Sequence, residues 1–196
     1  MIMNGGIYMN VFESTNMAST KYAERIFDAV ATEDIENGTF GYLDGLATGE
    51  AVTYNFKPGT KAGLKIGDIV VVDNPVWDAD TCRRTNQRKD KFIIKAGTRF
   101  RARVIRKNDE FANSIDGFTS ATQSVVTGAT DFTATPVYVS IDETTGKLVA
   151  ATTKPTDIIV GQIMRKRITG GTLVTTANTY GYKREMYETK IIEVTA

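Results

Sequence analysis

The sequence predicts a mostly β protein, a small barrel or sandwich built from many short strands. Runs of β-branched and aromatic residues recur at short spacing, and clusters of Gly, Asn, Asp and Pro that favour tight turns separate them. Such spacing is typical of small barrels and sandwiches. No repeat of solenoid length occurs along the chain.

The first element is an extended N-terminal arm over residues 1–18, where no hydrophobic period is sustained. Its apolar residues, Val11 and Phe12 among them, make it less polar than a typical disordered tail. Two alternatives remain open: a disordered leader ahead of a start at Met9, and an arm that orders on a partner. Residues 19–196 are predicted to form a single β-rich domain.

One short helix is predicted over residues 19–31. Ser19 or Thr20 can cap its first turn. The apolar residues that would share one face of it are Tyr22, Ile26, Phe27 and Val30. One apolar stripe predicts one buried face, against the domain or against a partner.

Strands are predicted through the middle and the end of the chain, at 51–56, 69–72, 92–94, 98–106, 137–141, 148–150, 158–164 and 190–194. The segment 98–106 is the clearest half-buried strand, because its apolar residues alternate with Arg99, Arg101 and Arg103. Between the strands, residues near 113–135 form a long segment rich in Thr and Ser, which predicts a loop or a β-excursion.

Composition excludes several kinds of chemistry. The chain has no histidine, so the commonest general base and metal ligand is missing. Its single cysteine, Cys82, excludes an internal disulfide and any CxxC motif. Carboxylates, Lys and Tyr can still catalyse reactions, but no spacing singles out such a site. We therefore expect a protein that is not an enzyme and that uses no metal, cofactor or small-molecule substrate.

Two short motifs resemble ligand sites and fail on inspection. Gly59-Thr60-Lys61 lacks the upstream glycine of a phosphate-binding loop. Asp78-Ala79-Asp80 is not followed by the further ligands of a calcium loop. No run of apolar residues is long enough for a membrane helix, and the start does not resemble a signal peptide. These features predict a soluble protein that acts or assembles in a cytoplasm, with no membrane partner.

Basic residues form three groups although the formal net charge is only +1. The first lies between Arg83 and Lys91, the second is the arginine row of 99–103, and the third is 165–167. Three interpretations remain: a solvated strand face, a single-stranded nucleic-acid site, and a surface that meets acidic residues of a protein partner. Nucleic acid is the less favoured of these, because the basic strand has no interleaved aromatic residues and the overall charge is balanced. Trp77, the only tryptophan, is either a core residue or an interface anchor.

Several segments together resemble the head decoration, or cement, proteins of tailed phages that infect Gram-positive bacteria. The resemblance rests on AERIFDAVATEDIENGTFGYLDGL (23–46), GDIVVVDNPVWD (67–78), KFIIKAGTRFRARVI (91–105) and TTGKLVAATTKPTDIIVGQIMRKR (144–167). The last segment matches the family pattern of a final barrel hairpin.

This resemblance implies a β-barrel or β-tulip-like domain whose N-terminal segment lies across capsid subunits. It implies the major capsid protein and neighbouring copies of the chain itself as partners. It places the protein on the outer surface of the capsid, after assembly in the host cytoplasm. The candidate contact residues are Val11, Phe12, Tyr22, Phe27, Trp77, Arg99, Arg101 and Arg103.

Functions of other classes also remain. The chain could be an OB-like module that binds single-stranded nucleic acid, or another phage structural protein such as a head fibre or a tail component. A carboxylate-based glycosidase would require two carboxyl groups facing each other across a cleft.

Overall fold

The structure, a computed structural model, describes residues 9–22, 25–65, 67–76, 89–169 and 184–194. The described chain folds into two packed layers, a closed five-stranded barrel and a six-stranded sheet. One short helix, α1 (Gln123–Gly128), completes the fold. The predicted mostly β fold with a barrel, an extended N-terminal stretch and one short helix is confirmed.

The barrel is formed by β2 (Ile26–Val30), β3 (Phe40–Leu46), β4 (Thr53–Pro58), β5 (Ile69–Val72) and β6 (Arg99–Val104). Its strand order is β2-β4-β3-β5-β6, and β6 closes back onto β2. All neighbours run antiparallel except β2 and β4, which are parallel. Its interior, called here the barrel core, includes Phe56 and Phe100, whose rings meet edge to face at 5.5 Å.

The second layer consists of β1 (Phe12–Asn16), β7 (Glu110–Ser114), β8 (Tyr138–Ile141), β9 (Leu148–Ala151), β10 (Ile159–Thr169) and β11 (Arg184–Val194). The order is β1-β7-β11-β10-β8-β9, antiparallel throughout. The long strands β10 and β11 form its centre.

The two layers meet at β5, which explains its continuous apolar sequence. Val70 and Val72 belong to the barrel core, whereas Ile69 and Val71 belong to a second, larger cluster, the main core. The main core also contains Phe40 of β3, whose ring lies 5.3 Å from that of Phe111 in β7. A strand buried on both faces requires apolar residues at every position.

The described part of the N-terminal arm begins at residue 9, and its residues 12–16 form an extended strand that pairs with β7 at one edge of the sheet. Asn10 ties this stretch to the barrel and to the sheet. Its backbone N–H donates to Glu36 Oε2 at 2.8 Å, its side-chain amide donates to the Asn37 carbonyl at 3.0 Å, and its Oδ1 accepts from Ser114 at 3.2 Å. The arm is therefore built into both layers from residue 10 onward.

The prediction of a helix over residues 19–31 is wrong. The described part of that segment forms a short 3₁₀ turn, Ala18–Thr20, and then the barrel strand β2. Phe27 and Ala29 pack towards the barrel core, while Asp28 between them is exposed. The spacing of the apolar residues fits either a helix or a strand. The segment forms a strand because, as β2, it pairs with both β4 and β6 and closes the barrel.

The structure corrects two further predictions. The Thr/Ser-rich segment 113–135 begins in β7 and contains α1, and it buries Phe118, Val126 and Phe132 in the main core. It is therefore a packed excursion. The segment 144–167 is not a barrel hairpin, because β9 and β10 both pair with β8 in the open sheet.

Candidate functional site

The best-defined candidate surface is the outer face of β6, where Arg99, Arg101 and Arg103 alternate with fully buried residues. The predicted half-buried strand is confirmed. Each arginine lies opposite a residue of β2, namely Val30, Asp28 and Ile26 in turn. Because the barrel is closed, this face is held on a rigid support.

Two of the three arginines are bound to carboxylates of the same chain. Arg103 Nε donates to Asp73 Oδ2 at 2.6 Å, and its Nη1 donates to the Ser19 carbonyl at 3.1 Å. Arg99 pairs with Glu50, which lies in the turn between β3 and β4. These pairs fix both ends of the row and neutralise much of its charge.

Arg101 lies between them, and its side chain is exposed. Within the described ranges it makes no side-chain ion pair. Its backbone is fixed, since its carbonyl accepts the Asp73 N–H at 3.0 Å and its own N–H lies 3.4 Å from Asn74 Oδ1. Arg101 is thus a cation on an ordered strand that remains available to a partner.

Two of the aromatic contact candidates, Tyr22 and Phe27, differ in exposure. Tyr22 is 54% exposed, and the Arg25 guanidinium carbon lies 5.1 Å from the centre of its ring. Phe27 is half-buried against the barrel core and meets Tyr54 edge to face at 5.6 Å. Tyr22 is therefore an accessible aromatic side chain, whereas Phe27 packs against the barrel core.

Val11 and Phe12 are only 1% and 6% exposed. Phe12 packs in the main core against Phe111, at 5.8 Å between ring centres, and Val11 packs with Ala112 and Met186. A partner could reach these two side chains only if β1 left the sheet, so we leave them out of the contact surface proposed below. Trp77 and Cys82 lie outside the described residues.

The third basic group, Arg165-Lys166-Arg167 on β10, is matched by carboxylates on neighbouring strands. Arg165 pairs with Glu188, and Lys166 Nζ lies 3.4 Å from Glu185. Arg167 reaches both Glu188 at 2.7 Å and Glu13 of β1 at 2.6 Å. This ladder ties the centre of the sheet to its N-terminal edge. In the first group, Arg83, Arg84 and Arg88 lie outside the described residues.

A cleft of about 690 Å³ beside β1 brings two carboxylates together, Glu13 and Asp73. Burial raises the pKa of Glu13, but hydrogen bonds from Arg167 and Lys89 outweigh it, and the pKa lies below its ordinary value. Asp73 accepts the hydrogen bond from Arg103. A glycosidase needs one carboxyl that stays protonated near neutral pH. The lowered pKa of Glu13 does not suit that role.

Two other acidic residues, Asp109 and Asp34, have structural roles. Asp109 is buried, and its oxygens accept the backbone N–H groups of Ala18 at 2.9 Å and Arg106 at 2.8 Å. Burial raises the pKa of Asp109. Asp34 accepts from Lys95 and from the Ala96 backbone. Within the described ranges, no group of three or more His, Cys, Asp or Glu residues is placed to hold a metal ion.

Sequence reasoning identified the basic groups but missed the carboxylates that pair with them, for example Glu13 with Arg167 of the third group. The partners are remote in sequence, and Glu13 and Arg167 are 154 positions apart. No local pattern brings them together. Their pairing depends on the strand order of the sheet, which the sequence alone did not reveal.

Comparison of the chain with protein-family models, with curated proteins and with solved structures found no match in any of the three. No helix in the described part of the chain is long and apolar enough to cross a membrane.

Proposed function

We propose that the protein is a non-enzymatic structural protein that binds the outside of an expanded phage capsid and stabilises the shell. Its partners in this proposal are the major capsid protein and neighbouring copies of itself on the shell. It acts on the virion surface after assembly in the host cytoplasm.

The observation that carries the proposal is the outer face of β6. Arg101 is exposed there on a closed barrel, and flanking ion pairs hold the arginine row in place. Tyr22, which precedes β2 in the chain, is exposed as well. Exposed Arg and Tyr side chains on an ordered support are typical of protein-binding surfaces. Three of the four segments that resemble the decoration proteins, 23–46, 67–78 and 91–105, contribute β2, β3, β5 and β6 of the barrel. The fourth, 144–167, contributes β9 and most of β10 in the sheet. Most of the resemblance thus falls on the layer that carries the candidate surface.

A protein partner suits this surface better than nucleic acid does. Single-strand binding requires uncompensated cations and aromatic rings on which bases stack. Arg99 and Arg103 are already bound to carboxylates, and the outward residues of β2 opposite the row include no aromatic ring. A single exposed Arg on an ordered strand can instead pair with a carboxylate of a protein partner.

Co-sedimentation with purified shells tests the proposal. We expect saturable binding to expanded shells at a fixed ratio to capsid subunits, and weaker binding to unexpanded shells. The Arg101→Glu variant should bind at least about tenfold more weakly, because reversal of an interface charge replaces attraction with repulsion.

Lys57→Glu is the matched control, since Lys57 is also an exposed cation on a barrel strand, without an ion pair in the described chain. It carries the same charge change and should bind as the wild type does. Absence of wild-type binding to either shell would refute the proposed function. Equal losses in both variants would refute the assignment of the β6 face.

A further inference from the structure

The outer edge of β10 is a second surface whose features point to a specific kind of partner. β8 pairs with β10 at Gly161 and Gln162, and the Ile163 N–H donates to the Val137 carbonyl at 2.9 Å. The next residue towards the N-terminus is Pro136, which has no N–H to continue the ladder. Among the described strands, none pairs with this edge over Met164–Thr169.

This edge exposes both apolar and basic side chains. Met164, at the bulge in the β10–β11 register, is 49% exposed, and Ile168 is 55% exposed. Between them lie Arg165, Lys166 and Arg167. The carboxylates that pair with these cations lie on β11 and β1, on the inner side of β10. Arg165 remains 70% exposed even with Glu188 bound, so its outer flank can accept another carboxylate.

The charge pattern argues against a second copy as the occupant of this edge. Full antiparallel overlap of Met164–Thr169 with the same segment of another chain would set Lys166 directly opposite Arg167. A shift of one residue in one direction sets Lys166 opposite Lys166 and Arg165 opposite Arg167. A shift of one residue in the other direction sets Arg167 opposite Arg167. Like charges directly opposite each other destabilise a strand pair.

We propose that β10 accepts an extended acidic segment of a capsid subunit as an added strand over Met164–Thr169. Main-chain hydrogen bonds along the free edge supply affinity, and alternate side chains supply specificity. Carboxylates of the added strand meet Arg165 and Lys166, while apolar residues cover Met164 and Ile168. The inference rests on the proposed function, since it takes the partner to be the shell.

The test compares Lys166→Glu with Lys154→Glu in co-sedimentation with expanded shells. Both lysines are about half exposed and each forms one ion pair with a glutamate of β11, Glu185 or Glu193. Both variants undergo the same charge change. We expect at least about tenfold weaker binding for Lys166→Glu and wild-type binding for Lys154→Glu.

Ile168→Thr provides a second variant, because threonine keeps the β-branched shape and removes only apolar contact. Val52→Thr is its control, since Val52 is also well exposed but lies beside the barrel turn. Ile168→Thr should weaken shell binding, and Val52→Thr should leave it unchanged. Thermal unfolding of all four variants establishes that each is folded.

Hydrogen exchange distinguishes strand addition from simple charge attraction. In the shell-bound protein, amides of 164–169 should gain protection that the free protein lacks. If wild-type protein binds shells but Lys166→Glu and Lys154→Glu bind alike, or 164–169 gains no protection, the inference is wrong and the proposed function stands. If wild-type protein binds no shell, both fail. Binding of single-stranded DNA that Lys166→Glu abolishes would assign the edge to nucleic acid and overturn the inference.

Discussion

The barrel and the six-stranded sheet differ in whether they have unpaired strand edges. Closure of β2 to β6 removes every edge from the barrel, so its outer surface can present side chains but no free backbone. The open sheet ends at β1 and β9, and among the described strands none pairs with the edge of β10 beyond β8. One layer is thus suited to side-chain contacts with a partner, and the other can also accept a strand.

The two layers also differ in the arrangement of their ion pairs. On the barrel, ion pairs fix the ends of one arginine row. On the sheet, a ladder that joins Glu13, Arg167, Glu188 and Arg165 runs across several strands. The barrel therefore depends mainly on its apolar interior, whereas the sheet is more sensitive to pH and salt.

The largest expected effects come from the residues that join or fill the two cores. Phe40→Ala should lower the free energy of unfolding by about 3–5 kcal/mol, because it removes a fully buried ring between β3 and β7. Phe100→Ala should cost a similar amount in the barrel core. Since β5 belongs to both cores, each variant should unfold in a single urea transition. A separate barrel transition in Phe100→Ala would show that the layers are independent.

The next effect isolates the contact between the arm and the barrel. Gly38 has φ 79°, and a Cβ there would collide with the Asn10 amide and approach the Phe12 Cβ to 2.9 Å. Gly97 has φ 74° and open space around it. Gly97→Ala should cost about 1 kcal/mol from the left-handed backbone alone. Gly38→Ala should cost about 2–4 kcal/mol, because collision adds to the same strain. Equal losses in thermal unfolding would contradict the packing described for Asn10.

Acid should weaken the sheet through Glu13 and Glu188. Burial raises both pKa values, but hydrogen bonds from arginine outweigh it, and both pKa values lie below the ordinary 4.5. A lowered pKa stabilises the folded state above the ordinary value, and that stability is lost as pH falls through the folded value. Glu13→Gln should therefore lose less stability than wild type on acidification below about pH 4.5. The difference should be at most about 1 kcal/mol, because these pairs are partly exposed. Parallel pH curves for the two proteins would argue against the ladder.

The smallest expected effects concern the candidate surface itself. Arg103→Ala should cost about 1–2 kcal/mol, because Arg103 is half-buried and bonds both Asp73 and Ser19. Arg101→Ala should change the free energy of unfolding by less than about 0.5 kcal/mol. Chemical denaturation of the two variants measures this contrast. A cost at Arg101 as large as that at Arg103 would mean that Arg101 serves the fold rather than a partner.

The sequence predicted those parts of the fold that depend on local patterns. Alternation identified β6, and the run of β-branched residues identified β5. Local pattern could not decide β2, since Ile26, Phe27 and Val30 fit a helix face as well as a barrel strand. It also predicted β10 and β11 as shorter strands than they are, because charged residues obscure the strand pattern.

The exposure of the candidate residues was predicted in part for the same reason. Alternation predicted an outward-facing Arg101, and Arg101 is exposed. Spacing placed Tyr22 on the apolar face of a helix that does not form, and Tyr22 is exposed. The burial of Val11 and Phe12 could not be predicted, because it depends on pairing with β7, about 100 residues away in the chain. The free edge of β10 likewise depends on where β8 ends, which follows from a pairing remote in sequence.

The most direct test of the proposed function is calorimetry of expanded shells with and without saturating protein. Ligands that bind only the intact shell raise its melting temperature. We expect the wild-type protein to raise the shell transition temperature in a saturable way and Arg101→Glu to raise it less. A shell transition that stays unchanged at saturating wild-type protein would contradict the stabilising role.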